Sequence, residues 1–183
     1  MRIKTTSTQL SDALLSLSTN GSFQESAKRL ATGEQPHDMV RAMAACPAIL
    51  QAMESLGTCV YPGGGTLPRE LKELIILQSS IHNACQFCTQ SHIDIARSVG
   101  MGDEPVALLE NPEALPAPYR AALCYAELVR SDSNRITDEQ FAAVAEHFSP
   151  SEIVQLTFLI GYINMLNWFN NALQIEYRGE LTT

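Results

Sequence analysis

Apolar residues in this chain recur at the three- and four-residue spacing of a helix, and no run alternates as a half-buried strand would. Two helix starts are spelled out. Thr137-Asp138-Glu139-Gln140 and Ser149-Pro150-Ser151-Glu152 both fit the capping box, in which cap hydroxyl and third side chain satisfy each other's backbone amides. They predict helices over 138–148 and 150–176. Further helical patterns cover 22–31, 37–57, 85–99 and 119–129, with Pro47 marking a kink or fresh start because it has no amide proton. Tyr61-Pro62-Gly63-Gly64-Gly65 is the clearest loop, and Leu67-Pro68-Arg69-Glu70 opens the helix that Leu71, Leu74, Ile75, Ile76 and Leu77 continue. The expected fold class is all-α, a helical bundle with short loops. Residues 1–36 read as an N-terminal extension with short helical segments, the first 22 polar and loosely held, and 37–183 as the helical domain.

Composition narrows the function classes. Hydrophobic residues make up 45% and charged residues 17%, ordinary for a globular domain with a sizeable core. The net charge of −8, with no basic cluster, argues against nucleic acid as a partner. The first 21 residues contain no apolar stretch of the secretory kind, and the apolar stretch 156–173 is broken by Gly161, Asn164, Asn167, Asn170 and Asn171. The expectation is a cytoplasmic protein with no membrane partner. Five cysteines, an odd number, do not suggest a disulfide framework. Cys46, Cys59 and Cys124 stand among Ala, Leu, Val and Tyr and read as small core residues.

Cys85 and Cys88 differ, being close together in polar company: His82-Asn83-Ala84-Cys85-Gln86-Phe87-Cys88-Thr89-Gln90-Ser91-His92. Two thiols three apart on a helix lie on nearly one side, and a disulfide between them closes a very small ring. If a helix begins near Asn83, Cys85 lies in its first turn, where the helix dipole favours a thiolate. His92 is four residues past Cys88, on the same stripe, where a base can activate a thiol. Glu73 stands twelve residues before Cys85, roughly 18 Å away on an unbroken helix. It reaches the pair only if the chain folds back at His82-Asn83-Ala84; from spacing alone it reads as a surface residue. A zinc site from His82, Cys85, Cys88 and His92 is a weaker reading, because the two histidines are roughly 15 Å apart along one helix and zinc bonds are only about 2.0–2.3 Å. Two inert helical cysteines remain a third reading.

With Glu73, Cys85-Gln86-Phe87-Cys88 and His92 in this order, with Leu71-Lys72-Glu73-Leu74-Ile75-Ile76-Leu77 before them and Asn164-Met165-Leu166-Asn167 in a closing helix, the chain resembles the alkyl hydroperoxidase D-like group of the carboxymuconolactone decarboxylase family. The resemblance spans roughly 37–178 and is strongest over 67–100. It implies an all-α fold of the alkyl hydroperoxidase D-like type that assembles as a homo-trimer or hexamer. It also implies reduction of a hydroperoxide by Cys88, with Cys85 as resolving thiol, Glu73 and His92 as proton relay, and a dithiol protein or small thiol as reductant. No cofactor or metal is implied, and no segment reads as a haem or flavin site. The alternatives are decarboxylation of a lactone acid, for which Arg69, Arg97 and Arg120 are available but ungrouped, and a non-enzymatic redox-sensing oligomer.

Overall fold

The structure, a computed structural model, describes residues 1–15, 17 and 23–179. Among them there is no strand. The helices are α1 (Ser7–Leu15), α2 (Gln24–Ala31), α3 (Asp38–Met43), α4 (Pro47–Val60), α5 (Arg69–His82), α6 (Gln86–Ser98), the single turn α7 (Ala107–Glu110), α8 (Ala117–Asp132), α9 (Asp138–Ala145) and α10 (Pro150–Leu173). Short 3₁₀ turns stand before α8 and before α9.

The expected element boundaries hold with local shifts. Pro47 is a fresh start: α3 ends at Met43 and α4 opens on the proline. Both capping boxes form, with Thr137 and Ser149 each accepting from the amide three residues on. Helix α8 starts ahead of the expected position because Pro118 fits its first turn, where no amide proton is needed. Ser22 lies outside the described residues, and α2 begins at Gln24.

Two expectations are corrected. The first residues are not loosely held: Leu10, Ala13 and Leu14 of α1 are buried in the main core. The missed signal is a third capping box, Thr6-Ser7-Thr8-Gln9, in which the Thr6 amide donates to Gln9 Oε1 at 3.0 Å and the Gln9 amide to Thr6 Oγ1 at 3.2 Å. And Cys46, Cys59 and Cys124 are exposed rather than core residues. Cys46 occupies the junction before α4, and the Cys59 thiol donates to the Ser55 carbonyl on the outer side of α4, so apolar neighbours in sequence did not mean an inward-facing position.

Helix α5 is central, packed against α6, α8 and α10. Leu71, Leu74, Ile75, Ile76 and Leu77 are all buried, and α10 meets them with Leu156, Leu159, Ile160 and Ile163. Each such side chain contributes on the order of 1.5–3 kcal/mol by leaving water. The loop before α5 is held from within. Lys72, itself buried, donates through Nζ to the carbonyls of Pro62 and Gly64. Gly64 lies so close to α4 that a Cβ would stand 2.2 Å from the Thr58 carbonyl oxygen. This loop carries Tyr61 to the side of α5.

Candidate active site

The chain turns back between α5 and α6 through a Schellman closure. The Cys85 amide donates to the Ser80 carbonyl (2.9 Å) and the Ala84 amide to the Ile81 carbonyl (3.0 Å), with Ala84 left-handed at φ 49°. Asn83 is therefore the C-cap of α5 rather than the start of α6; Cys85 takes the N-cap position of α6, its sulfur accepting from the Cys88 amide at 3.4 Å. Cys88 consequently lies in the first turn, one step deeper than expected for Cys85.

The hairpin decides the position of Glu73. Ten residues back along α5 and nine forward along α6 span similar lengths, so Glu73 and His92 come level. His92 Nδ1 lies 2.7 Å from Glu73 Oε2. Glu73 is fully buried, and its other oxygen accepts from Arg69 Nε (2.7 Å) and the Tyr61 hydroxyl (2.9 Å). The guanidinium of Arg69 lies over the Tyr61 ring and also donates to its hydroxyl. Burial by itself would raise the Glu73 carboxyl, but the imidazole of His92, its hydrogen bond, Arg69 and Tyr61 together outweigh burial and hold it below the usual carboxylate value. Burial, reinforced by Glu73, pushes the Tyr61 phenol well above its ordinary value, so Tyr61 keeps its proton.

Cys85 and Cys88 are joined as a disulfide, Cα–Cα 5.4 Å, and both are buried. A side cluster of Ala42, Phe87 and Ile175, with Ile3, Met39 and Tyr177 against it, covers them. Cys88, Ser91 and His92 line a cavity of about 150 Å³, walled mainly by apolar side chains including Phe87, Ile95 and Leu166. Cys85 does not line it. Residues of α2 and α3 close the far wall.

A ladder of amides from α10 clamps the hairpin. Asn83 Nδ2 donates to Asn164 Oδ1 (2.6 Å) and Asn167 Oδ1 (2.9 Å), Asn167 Nδ2 to Ser80 Oγ (3.1 Å), and Asn171 Nδ2 to the Asn83 carbonyl (2.8 Å). Asn170 Nδ2 donates to Cys88 Sγ at 3.2 Å, while its Oδ1 is buried at the cavity with no hydrogen-bond partner among the described residues. Asn170 and Tyr61 were not among the site residues drawn from sequence, and Arg69 was named only for the lactone-acid alternative. The i, i+3 spacing of Asn164, Asn167 and Asn170 was a legible signal, since amides on a buried helix face need partners. His82 is exposed at the end of α5, away from His92 on α6, and among the described residues no group of three or more His, Cys, Asp or Glu is placed to hold a metal ion.

Residues 47–127, which contain Glu73, both thiols of the pair and His92, match the carboxymuconolactone decarboxylase family. Over 117 residues the chain is 30% identical to the uncharacterized protein YdfG of Bacillus subtilis, across 62% of this chain and 80% of that protein. The chain belongs to the carboxymuconolactone decarboxylase family. Among solved structures it is similar to a protein of unknown function from Agrobacterium tumefaciens, suggested to be an AhpD-type antioxidant-defence protein, at 28% identity and TM-score 0.66, covering 74% of this chain and 94% of that one. An uncharacterized peroxidase-related protein from Silicibacter has the same fold, with TM-score 0.74 at 21% identity over 91% of this chain and 92% of that one. Within this carboxymuconolactone decarboxylase family member, the matched segment ends in α8, so Asn170 and the α10 ladder lie outside it.

Proposed function

We propose that this chain is a thiol-dependent hydroperoxide reductase in which Cys88 attacks and Cys85 resolves. The observation that carries the reading is the position of Cys88. Its sulfur borders the cavity beside His92 and accepts a hydrogen bond from Asn170, whereas Cys85 lies behind it, off the cavity. The helix N-terminus still favours Cys85, whose sulfur accepts the Cys88 amide at the N-cap; access to the cavity and the amide of Asn170 are what select Cys88.

In the reduced protein, His92 takes the Cys88 proton and Glu73 holds the resulting imidazolium. The Cys88 thiolate attacks the terminal oxygen of a hydroperoxide; the O–O bond breaks, and the leaving alkoxide takes the proton back from His92 as an alcohol. Cys88 is then a sulfenic acid, which the Cys85 thiol attacks to form the disulfide and release water. An external dithiol supplies the two electrons and two protons that reopen it. The lactone-decarboxylase reading fits the site less well: Arg69 is committed to Glu73 and Tyr61, Arg97 pairs with Asp94, and Arg120 donates to the Leu115 carbonyl.

Peptide mass spectrometry after peroxide treatment tests the assignment. In Cys85→Ser, oxidised Cys88 should persist and progress to sulfinic acid under excess peroxide. In Cys88→Ser, little oxidation should occur. Sulfenic acid on Cys85 in that variant would reverse the two roles, and unoxidised cysteines in the parent would end the peroxidase reading.

A further inference from the structure

Helix α2 closes the far wall of the cavity with a serine whose hydroxyl bonds to nothing. Helical serines commonly donate back to a carbonyl three or four residues earlier. Ser55, Ser91 and Ser98 do so here, Ser91 on the α6 wall of the same cavity. Ser26 does not: it is 1% exposed, and its Oγ has no hydrogen-bond partner among the described residues. Asn170, equally buried, leaves Oδ1 in the same condition after giving Nδ2 to Cys88 Sγ. Both residues line the cavity.

Buried hydroxyl and amide oxygens are rarely left without a partner, because each has given up its bonds to water. Asn170 Oδ1 can only accept, and its place beside Cys88 suits the O–H of a hydroperoxide. Ser26 Oγ can donate or accept and suits a second polar group at the far wall. Between them the lining is apolar, with Val40, Phe87, Ile95, Ile163 and Leu166. The cavity of about 150 Å³ is many times the roughly 10–15 Å³ that one water requires, so hydrogen peroxide alone would leave Ser26 unserved. Glu25 and His37 border the Ser26 wall, and among the described residues no Lys or Arg lines the cavity. A carboxylate end would thus meet like charge from Glu25 and no permanent cation.

Resting on the reductase reading, we propose that the cavity takes a hydroperoxide whose apolar middle separates the peroxide from a second, uncharged oxygen group such as a hydroxyl. Asn170 holds the terminal O–H beside Cys88 Sγ, and Ser26 binds the distal group. The Cys88 thiolate takes that terminal oxygen, with its hydrogen, as a sulfenic acid. The O–O bond breaks, the alkoxide leaves with the proton of His92, and the distal group stays on the released alcohol. Ser26 sets specificity and takes no part in the bond changes. It stands on α2, in the N-terminal extension and outside the matched segment 47–127, so this preference belongs to the chain and not to the family fold.

Values of kcat/KM for short n-alkyl hydroperoxides, their ω-hydroxy counterparts and their ω-carboxy counterparts, with dithiothreitol as reductant, test this. The parent should prefer the hydroxyl-ended compound over the methyl-ended one by roughly tenfold, the effect of one buried hydrogen bond, and reject the carboxylate-ended one. Ser26→Ala favours the helix, so it should fold, checked by circular dichroism, and bring the hydroxyl-to-methyl ratio to about one. A parent that prefers the methyl-ended or carboxylate-ended compound would overturn the proposal. So would a hydroxyl preference that survives Ser26→Ala. A second measurement needs no turnover. In the reduced protein an α,ω-diol should protect Cys88 from iodoacetamide better than the matching n-alcohol, and Ser26→Ala should erase the difference. If no hydroperoxide is consumed, the reductase reading fails while this protection still decides the subsite. A diol advantage lost in Ser26→Ala upholds it, and equal protection by diol and alcohol overturns it.

Discussion

Asn170 is the residue whose role was least visible in advance and whose contact is most direct. It sits almost wholly buried, gives one amide hydrogen to Cys88 Sγ and leaves its oxygen facing the cavity. A donor on a thiolate stabilises the charged form, and hydrogen bonds to charged groups contribute roughly 1.5–3 kcal/mol. Asn170→Ala should therefore remove a donor from the Cys88 sulfur and slow its alkylation near neutral pH by roughly tenfold or more, measured by iodoacetamide labelling of the reduced protein across pH. An unchanged labelling profile would mean that the amide serves packing alone. Glu73 and His92 make a separate demand. Replacing either with glutamine keeps the shape of the buried pair but removes proton transfer, so peroxide oxidation of the dithiol should slow by a factor on the order of 10². Stopped-flow oxidation kinetics check this, and parent rates in both variants would detach the pair from the chemistry.

At the level of elements, the site is made by one turn. The break at Asn83 and Ala84 converts a sequence separation of nineteen residues into the 2.7 Å contact between Glu73 and His92. The break itself was legible, because Asn83 resists continuing a helix, and so were the helices and caps around it. What lay beyond sequence was its geometry. Periodicity gives the axis of each helix but not the angle at which two helices leave a turn, so spacing alone left Glu73 a surface residue and only the family resemblance put it in the site, where the hairpin places it at zero exposure. Tyr61 was missed for a related reason: a loop residue carries no period, and only the grip of Lys72 on the Pro62–Gly64 carbonyls aims it at Glu73. The turn also holds an alanine where glycine is the residue without a steric cost. Ala84 at φ 49° pays for a left-handed conformation that disfavours a Cβ by roughly 1–2 kcal/mol. Ala84→Gly should raise unfolding free energy by about 0.5–1 kcal/mol after the added freedom of the unfolded chain is subtracted. Chemical denaturation of the two proteins decides it, and a less stable glycine variant would show that the methyl group packs usefully.

For the whole molecule, the buried Glu73 network links folding to pH. The carboxyl is held below its ordinary value in the fold, so between that lowered value and about 4.5 the unfolded chain binds the extra proton. The stabilisation is present in full above the ordinary value and is lost as pH falls through the lowered one. Glu73→Gln removes this dependence. Denaturation midpoints measured from pH 6 downward should therefore fall less steeply in the variant than in the parent. Parallel curves would mean that other carboxylates dominate the acid limb. Among the described residues no helix is long and apolar enough to cross a membrane. The asparagine ladder has a consequence for protein engineering. A graft of residues 69–98 onto another helical scaffold would transplant the hairpin, the dithiol, Glu73 and His92 as one contiguous cassette. It would leave behind the amides that fix the turn and touch the attacking sulfur, because these arrive from a helix some eighty residues downstream. A recipient lacking an equivalent amide-bearing helix would inherit the reagents of the site without the vice that holds them.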